Sequence, residues 1–129
     1  MKPITEQWVA KAEGDWDFAG RVMRVRNNPV YDHVCFYSHE SAEKYLKARL
    51  VEADVPFPKT HNRPHLLLPI EPEWHVLEPD LLGLKAFGVG IVYPGKNAGK
   101  DDARNALRFC QDVRAAARLS LGLPAQAAA

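Results

Sequence analysis

The chain has 129 residues, 47% hydrophobic and 26% charged, a composition that suits one globular domain with a substantial core. Seventeen basic against sixteen acidic residues leave a net charge of +1, so a polybasic or polyacidic protein is excluded and any ligand-directed charge must be local. No stretch approaches about 18 uninterrupted apolar residues, and the N-terminal run MKPITEQWVAKAEGDWDFA has no apolar leader core, which predicts a soluble, cytoplasmic protein.

The first helix is expected over 5–26. Thr5 reads as its N-cap, with Pro3 just before it. Trp8, Ala12, Trp16, Ala19 and Met23 share one face, with Asp15 beside it; Lys11, Glu13, Asp17, Arg21 and Arg24 turn away. Gly14 and Gly20 weaken the helix by about 1 kcal/mol each relative to alanine and leave room for a neighbouring helix. Asn27-Asn28-Pro29 ends it.

The second helix, over 31–54, is the element around which the chain is organised. From His33 to Val55 there is neither proline nor glycine, and Cys35, Ser38, Ala42, Tyr45, Leu46 and Leu50 draw one stripe at helical spacing. Glu40 precedes Lys44 by four and Glu43 precedes Lys47 by four, the better orientation for helical ion pairs, each contributing about 0.2–0.5 kcal/mol. This charged face reads either as a solvated surface or as a ligand site.

Over 55–79 the chain changes character. Six of the ten prolines and three of the five histidines lie between Asp54 and Asp80, which predicts a long connection rather than a helix. Leu66, Leu67 and Leu68 suit a short turn packed on the bundle, and Trp74 suits a plug at an apolar edge. A short helix follows over 80–88, with Gly88 and Gly90 loosening its end. The last helix is expected over 101–122. Asp101 and Asp102 open it, and Ala103, Ala106, Leu107, Cys110, Val113, Ala117 and Leu121 form its core stripe. Arg104, Arg108 and Arg118 lie on a neighbouring face, and Gly122 and Pro124 stop it. Nothing alternates with period two, so the expectation is an all-α, antiparallel up-and-down bundle of four to five helices, a single domain over 1–129.

Four motif readings fail on context. Gly90-Ile-Val-Tyr-Pro-Gly95-Lys96 fits Gly-x4-Gly-Lys, but Asn97 stands where a phosphate-binding loop needs Ser or Thr, and no strand precedes it. His61, His65 and His75 lack a compact set of four ligands, and Pro64 breaks the register, so no metal is expected. Cys35 and Cys110 fall on core stripes and read as buried reduced thiols, not as nucleophiles or a disulfide. Arg26 and His33 lie at the turn into the second helix and are set aside as a coincidental pairing.

The run Val34-Cys35-Phe36-Tyr37-Ser38-His39-Glu40-Ser41-Ala42-Glu43-Lys44-Tyr45-Leu46-Lys47-Ala48 resembles the second-helix signature of HEPN domains, where a Cys or Ala and a Phe precede Gln-Gln-Ala-Ala-Glu-Lys-x-Leu-Lys-Ala. Lys59-Thr60-His61 is similar to the family's Thr-His-Asp-Leu, Tyr93-Pro94-Gly95 to its Arg-Tyr-Pro, and the Asp102-Ala103-Arg104 start of the last helix to its Asp-Ala-Arg. The resemblance runs from Trp8 to about Leu121. It implies a homodimeric helical bundle with a nucleotide- or nucleic-acid-related role, encoded beside or fused to a minimal nucleotidyltransferase. Ribonuclease members carry Arg-x4–6-His at the start of the last helix; here that helix has Arg104 and Arg108, and the last histidine of the chain is His75. His39 and Glu40 replace the glutamine pair, Asn62 and Arg63 replace Asp-Leu, and Val92 replaces the arginine before Tyr-Pro.

The resemblance therefore implies a non-catalytic protein that binds a nucleotide, a nucleotidyltransferase partner, or both, with no cofactor. The residues expected to carry it are Glu43, Lys44, Lys47, His61, Tyr93, Arg104 and Arg108. The alternatives are an RNA-cleaving toxin using His61 or His33 as base with Arg26, Arg104 or Arg108 stabilising the phosphate, and a module whose ligand is only another protein.

Overall fold

Proline at a first helical position costs no hydrogen bond, because the first amides of a helix have no partner inside it. Helix α1 accordingly runs Pro3–Met23, with Lys2 as N-cap. In the computed structural model, which describes residues 1–57, 67–90 and 94–126 and all their side chains but those of 87–90, three further α-helices follow: α2 Tyr31–Glu52, α3 Glu78–Gly90 and α4 Lys100–Ser120. A 3-10 turn, Pro72–Leu77, leads into α3. No strand occurs among the described residues, and the architecture is the all-α bundle expected.

Contacts between helices give their directions. Thr5 meets Glu52, Ala12 meets Ser41 and Phe18 meets Tyr37, so α1 runs antiparallel to α2. Tyr45 meets Arg118 and Arg49 meets Ser120, while Gly83 faces Phe109 and Asp80 bonds Asp112. Helix α4 is therefore parallel to α2, and α3 is antiparallel to α4. Helix α2 packs against α1, α3 and α4, which is why its buried residues spread beyond one stripe: Val34, Cys35, Ser38, Ser41, Ala42, Tyr45, Leu46, Ala48 and Leu50. Leu46, Leu50, Leu67 and Leu84 are essentially inaccessible, and burying each contributes about 1.5–3 kcal/mol.

Two helix ends close in the same way. Beyond Glu52, Asp54 takes a left-handed conformation (φ 58°), and the Val55 and Asp54 amides donate to Leu50 and Val51 at 2.9 and 3.1 Å. Beyond Ser120, Gly122 (φ 78°) does the same, with Leu123 and Gly122 donating to Arg118 and Leu119 at 2.8 and 3.1 Å. This paired closure satisfies the carbonyls a helix end leaves over. The connection between α2 and α3 is tied to the same pole of the bundle: Arg49 Nε donates to Glu71 at 3.0 Å and to Ser120 Oγ at 2.7 Å, and Ser120 also donates to Glu71. Leu67 and Trp74 sit in the core, as the sequence led one to expect of that stretch.

Several expectations for α1 fail. Thr5 is not a cap; it lies inside the helix, fully buried, and donates to Glu52 Oε1 at 2.8 Å. Thr5, Val9, Ala12 and Ala19 fill the interior, while Trp8 and Trp16 are only half-buried, because small residues let α1 lie close to α2. Glycines 14 and 20 do not mediate that approach: a Cβ at Gly14 would meet nothing within 4 Å, and one at Gly20 only Arg24 at 3.5 Å. A glycine-dependent close approach occurs instead between α3 and α4, where a Cβ at Gly83 would stand 2.8 Å from the Phe109 ring.

Candidate functional site

The expected site residues separate onto two sides of the bundle. On α2, Lys44 pairs with Asp15 of α1 and lies 3.7 Å from Glu40. Lys47 Nζ stands 5.1 Å from the centre of the Trp8 ring, a cation–π contact of about 0.5–1 kcal/mol where exposed. Both lysines therefore lean on α1. Glu43 is half-buried, 3.9 Å from His39 Nε2. His39 Nδ1 and Ser38 Oγ are buried and have no hydrogen-bond partner among the described residues. His39 holds Glu40 below the ordinary carboxylate range, with burial opposing and Lys44 assisting.

The other side belongs to α4. Arg104 is exposed, with Asp101 at 3.6 Å. Arg108 is exposed, lies 5.2 Å from the centre of the Phe109 ring, and faces Asp80 of α3. Burial, together with a hydrogen bond to Asp112, pushes the Asp80 carboxyl up to about 6; Arg108 opposes this. Arg26 and His33 are exposed at the turn between α1 and α2. His61 and Tyr93 lie outside the described residues.

Sequence reasoning missed a polar cluster inside the bundle. Glu13, placed on the outer face of α1, instead points inward. Arg114 Nε and Nη2 donate to its two oxygens at 2.6 and 2.8 Å, Tyr45 donates to it as well, and Arg118 Nη1 lies 3.7 Å away. Arg118, expected beside Arg104 and Arg108, is buried, as is Arg114, which also stacks 5.4 Å from the centre of the Trp16 ring. Burial alone raises the Glu13 carboxyl, but the hydrogen bonds from Arg114 and Tyr45 outweigh it, so the net direction is downward. Tyr45 is pushed up by burial and by Glu13, and stays neutral. The signal lay in the register. Arg114 follows Cys110 by four and precedes Ala117 by three, a core position on α4, and Glu13 follows Val9 by four on α1.

Cys35 and Cys110 are buried free thiols, both pushed up to about 12 by burial, with nearby Asp102 and Asp32 adding to the effect at Cys35. Neither supplies a thiolate at neutral pH. Among the described residues no group of three or more His, Cys, Asp or Glu side chains is placed to hold a metal ion, and no helix is long and apolar enough to cross a membrane.

A family model described as the HEPN domain matches residues 5–119. The chain belongs to the HEPN family. The match takes in α1, α2, α3 and nearly all of α4 of this HEPN domain, and stops before the segment after Leu119 that folds back over Arg114 and Arg118. No curated protein and no solved structure gives a significant match.

Proposed function

We propose that this HEPN domain acts by binding rather than by turnover, taking an anionic ligand: a nucleotide or the acidic surface of a nucleotidyltransferase partner. The observation that carries the reading is the outer face of α4. Arg104 and Arg108 project from it one turn apart, and no histidine follows them anywhere in the chain. Phosphoryl chemistry of the ribonuclease kind needs a proton acceptor beside the cation that steadies the phosphate. An arginine ridge without one still binds phosphate or carboxylate, through forked, charge-assisted hydrogen bonds.

Lys44 and Lys47 act differently in this reading. Because Asp15 and Trp8 already engage them, they hold α2 against α1 and contribute to ligand binding only at long range, with Glu43 beside them. In this reading His61 serves as a hydrogen-bond donor to the ligand and Tyr93 as a residue that shapes its site. The domain assembles as a two-fold homodimer through the outer face of α1, where Ile4 and Phe18 are 47% and 44% exposed and a shallow groove is lined by Ile4, Gln7, Trp8 and Lys11.

Calorimetric titration with ATP and GTP tests the nucleotide arm. Arg104→Ala with Arg108→Ala is expected to weaken binding at least about tenfold, with the fold intact by circular dichroism. Absence of heat up to about millimolar nucleotide, or equal affinity in the double variant, would overturn it.

A further inference from the structure

Two buried guanidiniums share one carboxylate. Arg114 and Arg118 are 5% and 6% exposed, and Glu13 is the one carboxylate within ion-pair distance of either among the described residues. Tyr45 donates its proton to Glu13 and accepts from Arg118 at 3.3 Å, so it adds no charge. The cluster therefore carries one positive charge in excess, in a place where uncompensated charge is costly. The chain meets that excess with neutral oxygens. After Gly122 it turns back, and two consecutive carbonyls cap the pair: Arg118 Nε donates to Pro124 O at 2.6 Å, and Arg114 Nη1 donates to Ala125 O at 3.4 Å.

We infer that the segment 123–126 is a removable cap over a carboxylate-binding site formed by Arg114 and Arg118, and that its ligand is an acidic side chain of a partner polypeptide. Three observations support this. The capping acceptors are neutral, and a charged acceptor forms a hydrogen bond roughly twice as strong with a guanidinium. The cap rests on one apolar anchor, the half-buried Leu123, and has no charged side chain of its own. Beneath it Arg114 has holds of its own that do not involve the cap, since Glu13 grips it from one side and Trp16 plates it from another. The excess of one charge matches a carboxylate; a phosphate dianion would overshoot it and meet Glu13. This site is separate from the Arg104 and Arg108 ridge and does not depend on that reading.

Fluorescence anisotropy of a labelled tetraglutamate peptide tests it. Leu123→Ser, and independently Pro124→Gly, loosen the cap while leaving the arginines intact. Either folded variant is expected to bind the peptide about tenfold tighter than the parent chain. Adding Arg118→Lys, which keeps the charge but not the fork, is expected to return affinity to the parent value. Acetate should compete, and phosphate at matched ionic strength should not exceed it. Equal affinity in parent and variants overturns the inference, as does retention of tight binding with Arg118→Lys. Stronger competition by phosphate refutes the carboxylate and points to a phosphate-bearing ligand. If both loosened variants fail to fold, the segment is a fixed brace and the inference falls.

Discussion

Glu13→Gln is the most informative single substitution in this fold. It keeps the size of the side chain but removes the charge and turns one acceptor into a donor that faces guanidinium hydrogens. Arg114 loses a bidentate partner held at 2.6 and 2.8 Å, Tyr45 loses an acceptor, and Arg118 loses its ion pair at 3.7 Å. Breaking a buried pair by removing one partner costs about 3–5 kcal/mol. Glu13 itself is 24% exposed at its side chain, so water partly resolvates the orphaned arginines, and a loss of about 2–3 kcal/mol is expected. For a chain of this size that lowers the midpoint by about 8–12 °C, readable by thermal and urea denaturation at pH 7. The pH dependence gives an internal check. The folded-state Glu13 carboxyl sits below its ordinary 4.5, so its contribution is present above that value and is lost as pH falls through the folded one. The gap between parent and variant should therefore close in acid. A midpoint change under about 3 °C at pH 7, or a gap that does not narrow as pH is lowered below 4.5, would refute the reasoning.

Asp80 has the opposite sign. Its carboxyl is raised from 3.8 to about 6, so its stabilising share is full below about pH 4 and is lost as pH rises through 6. Asp80→Asn is expected to gain about 1 kcal/mol at pH 7, discounted for solvent around the pair, and to flatten the stability profile between pH 4 and 7 in urea titrations. Gly83→Ala places a Cβ 2.8 Å from Phe109 and is expected to cost about 1–2 kcal/mol as the ring shifts, with hydrogen exchange rising first in α3. Asp54→Gly relieves a left-handed aspartate but gives up its pair with Lys2, so a net change within about 0.5 kcal/mol is expected by thermal melt. Sedimentation at micromolar concentration is expected to give a dimer; a single species at 14.5 kDa would refute the α1 interface.

The fold was legible because its signals repeat. The absence of Pro and Gly from His33 to Val55, the Asn27-Asn28-Pro29 stop and the Gly122 closure each agree with the bundle. The family was legible from the run ending Glu43-Lys44-Tyr45-Leu46-Lys47-Ala48. What periodicity could not show is which face of a helix meets which neighbour. A helix against one partner buries one stripe, but α2 has three partners, and the pairing of Lys44 with Asp15 appears only once α1 is laid beside it. Glu13 was misjudged for a related reason: a charge at an inward position looks like an error until its partner Arg114, 101 residues away, is known.

The ties at one pole bear on how the molecule responds to force. Lys2 is held by Glu52 and Asp54, and Ser120 by Arg49, so both outer helices present their ends at the last turn of α2. A pull applied through the two chain ends would load those few polar ties one after another, peeling α1 and α4 away turn by turn, rather than sliding whole helix faces past each other. Resistance would then be local and low, and the polar locks at Lys2 and Arg49 would set where the molecule first opens.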